Sequence, residues 1–130
     1  MALCLVTAGK TLAIAASAFS LSWVHSVEKT EWQENWEVSG QMLVLRQARV
    51  KGSGAGMDPG DGARLVDGWW VWQPDTPPVE ELNLAASGET VSGWKLCHED
   101  AGHDKAQKCL DLGTRKADTI RLAVCGNNDG

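Results

Sequence analysis

A chain of 130 residues carrying a net charge of -5 and a pI near 5.1 is sized for one domain, and it lacks the basic patch that a phosphate backbone demands, which excludes nucleic acid as a partner. With 43% hydrophobic and 22% charged residues the composition is that of a folded globular protein, able to bury roughly two-thirds of its unfolded surface in a single core. The one skew is aromatic: seven Trp, one Phe and no Tyr, and because each indole N–H needs a partner, several rings are expected at the core edge or on a contact surface.

The chain opens with ALCLVTA, Gly9-Lys10 and TLAIAAS, two apolar runs about a tight turn, which reads as a hairpin. LAIAASA, residues 12–18, has the look of an export segment ending in an A-x-A site, but Lys10 follows the first apolar run instead of preceding it. Lys10, Ser17, Ser20 and Ser22 interrupt every window of about 20 residues, so no transmembrane segment is expected in this chain.

Phe19, Leu21, Trp23, His25 and Val27 then alternate with Ser20, Ser22, Val24, Ser26 and Glu28, the period of two of a half-buried strand. Trp32, Glu34, Trp36 and Val38 continue the pattern against Glu31, Gln33, Asn35 and Glu37. A helix competes here, since Trp32 and Trp36 are four apart and Glu and Gln favour it, yet the flanking strands favour strand. Ser39-Gly40 turns into Met42 to Val50, completing an antiparallel meander.

Lys51 to Ala63 holds five glycines and a proline and reads as a loop. In RLVDGWWVWQP the Asp67-Gly68 pair closes a hairpin, and the Trp-rich run puts rings on both faces, so both faces are covered or one makes contact. PDTPP is a stiff connector, and ELNLAAS, ETVSGWKLC and DTIRLAVC follow as strands. The fold expected is all-β: a single domain over residues 1–126, an antiparallel β-sandwich or partly open β-barrel of about eight or nine short strands, with 127–130 a disordered tail.

Candidate chemistry is sparse. His25 and Ser26 are neighbours on a strand and point to opposite faces, so they cannot pair as base and nucleophile. Glu28, Glu31, Glu34 and Glu37 beside tryptophan platforms would suit sugar cleavage, which needs two carboxylates about 5 to 10 Å apart, but an exposed strand face carries such residues too. The loop GSGAG, residues 52–56, lacks the Lys-Ser or Lys-Thr of a phosphate cradle, and its glycines, Gly54 and Gly56 among them, serve the backbone where it folds back.

Cys97 and Cys109 bracket a segment with His98 and His103, a ligand set that zinc accepts, although the spacing is not that of a zinc finger. A disulfide across a loop fits as well, because facing hairpin residues stand about 5.5 Å apart between Cα atoms. Cys4 and Cys125 fall in the first and last strands, neighbours if a barrel closes there, so the pairing to test is 97 with 109 and 4 with 125, free thiols and metal being the alternatives.

HSVEK, KGSGAGM, DGWW and the spaced pair Cys97 and Cys109, taken together from Leu3 to Cys125, resemble a small bacterial family, the domain of unknown function 1850 family, encoded beside TAXI-type TRAP transporters. The resemblance implies an all-β domain and a non-enzymatic accessory role in solute uptake, with the TRAP permease or its solute-binding protein as partner and no cofactor. It places the chain at the bacterial cell envelope or on the periplasmic side, the cytoplasm being the alternative without an export signal. Some members carry a membrane anchor before the first strand, whereas this sequence starts directly with ALCLVTAG. No catalytic or ligand residue transfers with the likeness. The binding surface expected from the residues themselves is Trp-rich, drawn from Trp32, Trp36, Trp69, Trp70 and Trp72, near His25, Glu28 and the glycine loop at Gly54 and Gly56. The competing readings are a small hydrolase using His25 and a glutamate, and a purely structural protein.

Overall fold

In the computed structural model the described residues are 2–7, 9–24, 30–51, 62–84, 93–99, 107–112 and 119–125. Among them eleven strands form and no helix: β1 Leu3–Thr7, β2 Lys10–Ile14, β3 Ala18–Val24, β4 Glu31–Ser39, β5 Met42–Lys51, β6 Arg64–Val66, β7 Trp69–Trp72, β8 Glu81–Leu84, β9 Trp94–Glu99, β10 Gln107–Leu112 and β11 Ile120–Val124. No helix among these residues is long and apolar enough to cross a membrane.

The alternation in the sequence decides the layers. Leu3 and Leu5 of β1, Ile14 of β2, Leu84 of β8, and Ile120 and Leu122 of β11 are buried while the residues between them are more open. These strands form a four-stranded sheet in the order β2-β1-β11-β8. Phe19 and Leu21 of β3, Trp36 and Val38 of β4, Leu43 of β5 and Leu96 of β9 are the complementary buried set on a seven-stranded sheet, β10-β9-β3-β4-β5-β7-β6. The two apolar faces close on each other as a β-sandwich, and every strand pairing is antiparallel. Leu3, Leu21, Leu43, Leu96 and Leu122 are essentially inaccessible, and each such side chain stabilises the fold by roughly 1.5–3 kcal/mol relative to exposure.

Local chemistry sets the connections. The two-residue turn between Val66 and Trp69 has positive φ at both Asp67 (50°) and Gly68 (88°), the mirror-image turn whose twist matches the flanking strands. Along β5 the apolar positions change phase, from Leu43 and Leu45 to Ala48 and Val50. The register accounts for it: Asn35 faces Gln47 but Trp36 faces Leu45, so Arg46 is an extra residue, a β-bulge that returns both halves of the strand to the core side. The bulged Arg46 guanidinium reaches Glu37 Oε1 at 2.6 Å on the solvent side. Beyond β7 the chain crosses from one sheet to the other, and Val79 exchanges two backbone hydrogen bonds with Leu43 on the way, 2.7 and 2.9 Å.

All four cysteines are bonded, Cys4 to Cys125 and Cys97 to Cys109. The first joins β1 to the end of β11, whose strands are neighbours in the register Leu3↔Val124. That adjacency needs no barrel: the first and last strands meet inside an open sheet, and the architecture is a sandwich. The second bond joins residues directly opposite each other on β9 and β10, with Cα atoms 4.1 Å apart. The strand β10, QKCLDL, was hidden in the sequence because it is an edge strand, where only Leu110 and Leu112 face the core and the residues between are exposed. The segment LAIAASA forms most of β2 and the start of β3. His25 to Glu28 and the tail 127–130 lie outside the described residues.

Candidate functional site

The seven-stranded sheet is wider than the sheet packed on it, and its inner face continues past the core as a row of indoles. Trp23 on β3 is paired with Trp32 on β4, Trp32 with Val50 on β5, and Val50 with Trp70 on β7. Leu21 faces Leu96, which two residues further along brings Trp94 of β9 beside Trp23. The rings touch in sequence: Trp94 against Trp23 at 4.9 Å and tilted, Trp23 stacked on Trp32 at 6.3 Å, and Trp32 meeting Trp72 edge-on at 6.3 Å. All four are half-buried, and each contact of this kind stabilises by about 0.5–1.5 kcal/mol beyond simple burial.

Deeper on the same face, Trp36 is a core residue, 7% exposed and stacked on Phe19 at 6.5 Å. Its Nε1–H donates to Glu34 Oε1 at 3.0 Å. Glu34 therefore stands on the inner face, flanked along β4 by Trp32 and Trp36 and across the sheet by Leu21 and Ala48. Burial pushes its carboxyl above the usual value of 4.5, and the hydrogen bond from Trp36 offsets only part of that. Glu31 and Glu37 alternate to the other face, where Glu37 is held by Arg46. The sheet thus separates Glu34 from Glu31 and Glu37, and those two, six residues apart on one strand at about 3.3 Å per residue, stand about 20 Å from each other, so the three do not form the pair of carboxylates that sugar cleavage requires.

The outer face is polar and ordered by side-chain bonds. Arg49 donates through Nε and Nη2 to Gln33 Oε1, at 2.9 and 2.6 Å, and Asn35 Nδ2 donates to Gln47 Oε1 at 3.1 Å. Trp69, opposite Lys51, lies on this face with the Arg49 guanidinium 4.4 Å and the Lys51 ammonium 5.7 Å from its ring centre. Further along β7, a cleft of about 350 Å³ is lined by Gln47, Gly62, Arg64, Val71, Trp72 and Gln73. A second groove, about 260 Å³, runs along the ends of β3 and β9 past Ser22, Trp94, Lys95 and Asp111.

The expected binding residues are therefore divided by the fold. Trp32, Trp70 and Trp72 share the inner face, Trp69 is on the outer face, and Trp36 belongs to the core. His25, Glu28, Gly54 and Gly56 lie outside the described residues. Trp23 and Trp94 complete the row. Trp94 was missed because its place depends on the pairing of β9 with β3, a long-range register that no local pattern encodes. The sulfurs of Cys97 and Cys109 are bonded to each other, which removes the thiolates a tetrahedral zinc site would use, and among the described residues no group of three or more His, Cys, Asp or Glu converges.

Residues 19–104 match the family model described as a domain of unknown function, DUF1850. The chain belongs to the DUF1850 family. The DUF1850 match spans β3 to β9 and so takes in all seven tryptophans, Glu34, and the cations around Trp69. No curated protein and no solved structure matches the chain.

Proposed function

We propose that this DUF1850 domain is a non-enzymatic accessory protein of a TAXI-type TRAP solute transporter, and that its inner-face tryptophan row binds a protein partner, the permease or its solute-binding protein. The row carries this reading. Strands are spaced about 4.8 Å apart, so from β9 to β7 the indoles extend over about 19 Å. That length suits a segment of polypeptide better than a small solute, which a shorter aromatic surface would serve. Trp is also the residue most enriched among the anchors that dominate interface energy. The transporter association rests on the gene neighbourhood that the family resemblance implies. Two disulfides agree with an oxidising compartment such as the periplasm.

The test is direct binding of the oxidised domain to purified permease and solute-binding protein, read by tryptophan emission and co-purification. The parent chain is expected to be retained with a shift in emission, and Trp32→Ala or Trp23→Ala to abolish retention. If neither component retains the parent chain, the proposal is wrong. A hydrolase would draw on Glu34, whose raised pKa suits a general acid, but the other glutamates of β4, Glu31 and Glu37, are turned to the opposite face.

A further inference from the structure

We infer that the outer face of β5, β7 and β6 holds a second site, one for a small organic carboxylate. The observation is a gathering of positive charge among the described residues of this face, in an acidic chain that has 17 Asp and Glu against 12 Lys and Arg. Arg49 and Arg64 both face Val71, one from each side, in the registers β5–β7 and β6–β7. Lys51 lies one step away on the same face of β5. Among the described residues none of these three cations has a carboxylate partner; elsewhere Arg46 is matched by Glu37 and Arg121 by Glu81. Like charges gathered without counter-charges repel one another, and an anion bound among them removes that repulsion.

Of the three cations Arg64 lines the cleft itself, Arg49 and Lys51 stand on the same face of β5, and Gln47 and Gln73 add amide donors to the lining. Gln47 has its Oε1 taken by Asn35, which leaves its amide N–H groups to point elsewhere. Gln73 and Arg64 complete the cleft, and Arg64 presents the planar fork that receives a carboxylate in two parallel hydrogen bonds. Arg49 is pre-set: two bonds to Gln33 and the ring of Trp69 fix its guanidinium, so little side-chain freedom is lost when a ligand arrives. Gly62 at the rim adopts φ 77°, a left-handed conformation that glycine takes without strain. The volume of about 350 Å³ is at the lower end of small-molecule sites, which argues for a compact solute over a folded partner. Trp72 belongs both to the row and to the cleft lining, but the site is argued from its cations and amides, so the inference does not rest on the transporter-partner reading.

The experiment is calorimetric titration of the full chain, disulfides intact, with succinate, with its neutral analogue succinamide, and with inorganic phosphate. Succinate is expected to bind saturably and succinamide not to bind. Arg64→Gln should weaken succinate binding about tenfold with an unchanged circular dichroism spectrum, the effect of losing one charge-assisted contact. Gln47→Leu should weaken it as well. The inference is overturned if succinate fails to bind, if succinamide binds equally, if phosphate binds as tightly as succinate, or if Arg64→Gln and Gln47→Leu both bind as the parent does.

Discussion

Replacing Cys4 and Cys125 together by serine is expected to cost more stability than replacing Cys97 and Cys109, although Cys97 is the one of the four that is buried. The bond between Cys4 and Cys125 spans a sequence separation of 121, that between Cys97 and Cys109 one of 12. Cross-linking lowers the entropy of the unfolded chain by an amount that grows with the logarithm of the enclosed loop, giving about 5 kcal/mol for the long loop and about 3 kcal/mol for the short one. The long-loop figure is comparable to the whole stability of a marginal domain, about 5–15 kcal/mol. Urea unfolding of the oxidised parent and of the two double variants, followed by tryptophan emission, measures both values. The midpoint should fall further for the variant at positions 4 and 125, by a margin equivalent to about 2 kcal/mol. Equal losses, or a larger loss at positions 97 and 109, would refute the entropic argument and show that the edge strand β10 depends on its bond more than the meeting of the first and last strands does.

Because burial raises the Glu34 pKa, the folded state keeps that proton to higher pH than the unfolded chain, and stability drains away as pH climbs from 4.5 through the folded value. Glu34→Gln, which retains an acceptor for Trp36 Nε1–H, should melt above the parent at neutral pH and lose that advantage below pH 4.5; calorimetric melting across the range decides it, and a lower melting point at neutral pH contradicts it. Trp36→Ala should cost about 3–5 kcal/mol by leaving a cavity in the core, whereas Trp32→Ala, half-buried, should cost less and chiefly affect binding. Urea midpoints of the two variants check the order. Deletion of Arg46 restores strict alternation from Met42 to Val50 and removes only a surface ion pair of about 0–1 kcal/mol, so the shortened chain should still fold; a spectrum without β-structure would show that the bulge is required.

What was readable in the sequence was whatever repeats every second residue. Phe19, Leu21 and Trp23, or Trp36 and Val38, announce both strand and inner face, because a sheet with one buried side imposes that period on its residues. The turn at Asp67-Gly68 was equally plain, since only a few residue types accept positive φ. The strand at Gln107 was not, as an edge strand buries too little to mark itself. The site was harder still. Trp94, Trp23, Trp32 and Trp72 come together only through pairings between distant segments, and the same run WWVW sends Trp69 to one face and Trp70 and Trp72 to the other. Composition showed that tryptophan mattered; topology was needed to divide it into a row, a core residue and a cation platform.

Leu3 and Val124 face each other, and the Cys125 amide donates to the Ala2 carbonyl at 2.9 Å, so the path in and the path out of the sandwich leave from one spot. The sandwich thus has its entry and its exit side by side on the two central strands of the smaller sheet. It could be grafted into a surface loop of a host protein, or cut at the Ser39-Gly40 turn after splicing the original ends, with little geometric disturbance to either component.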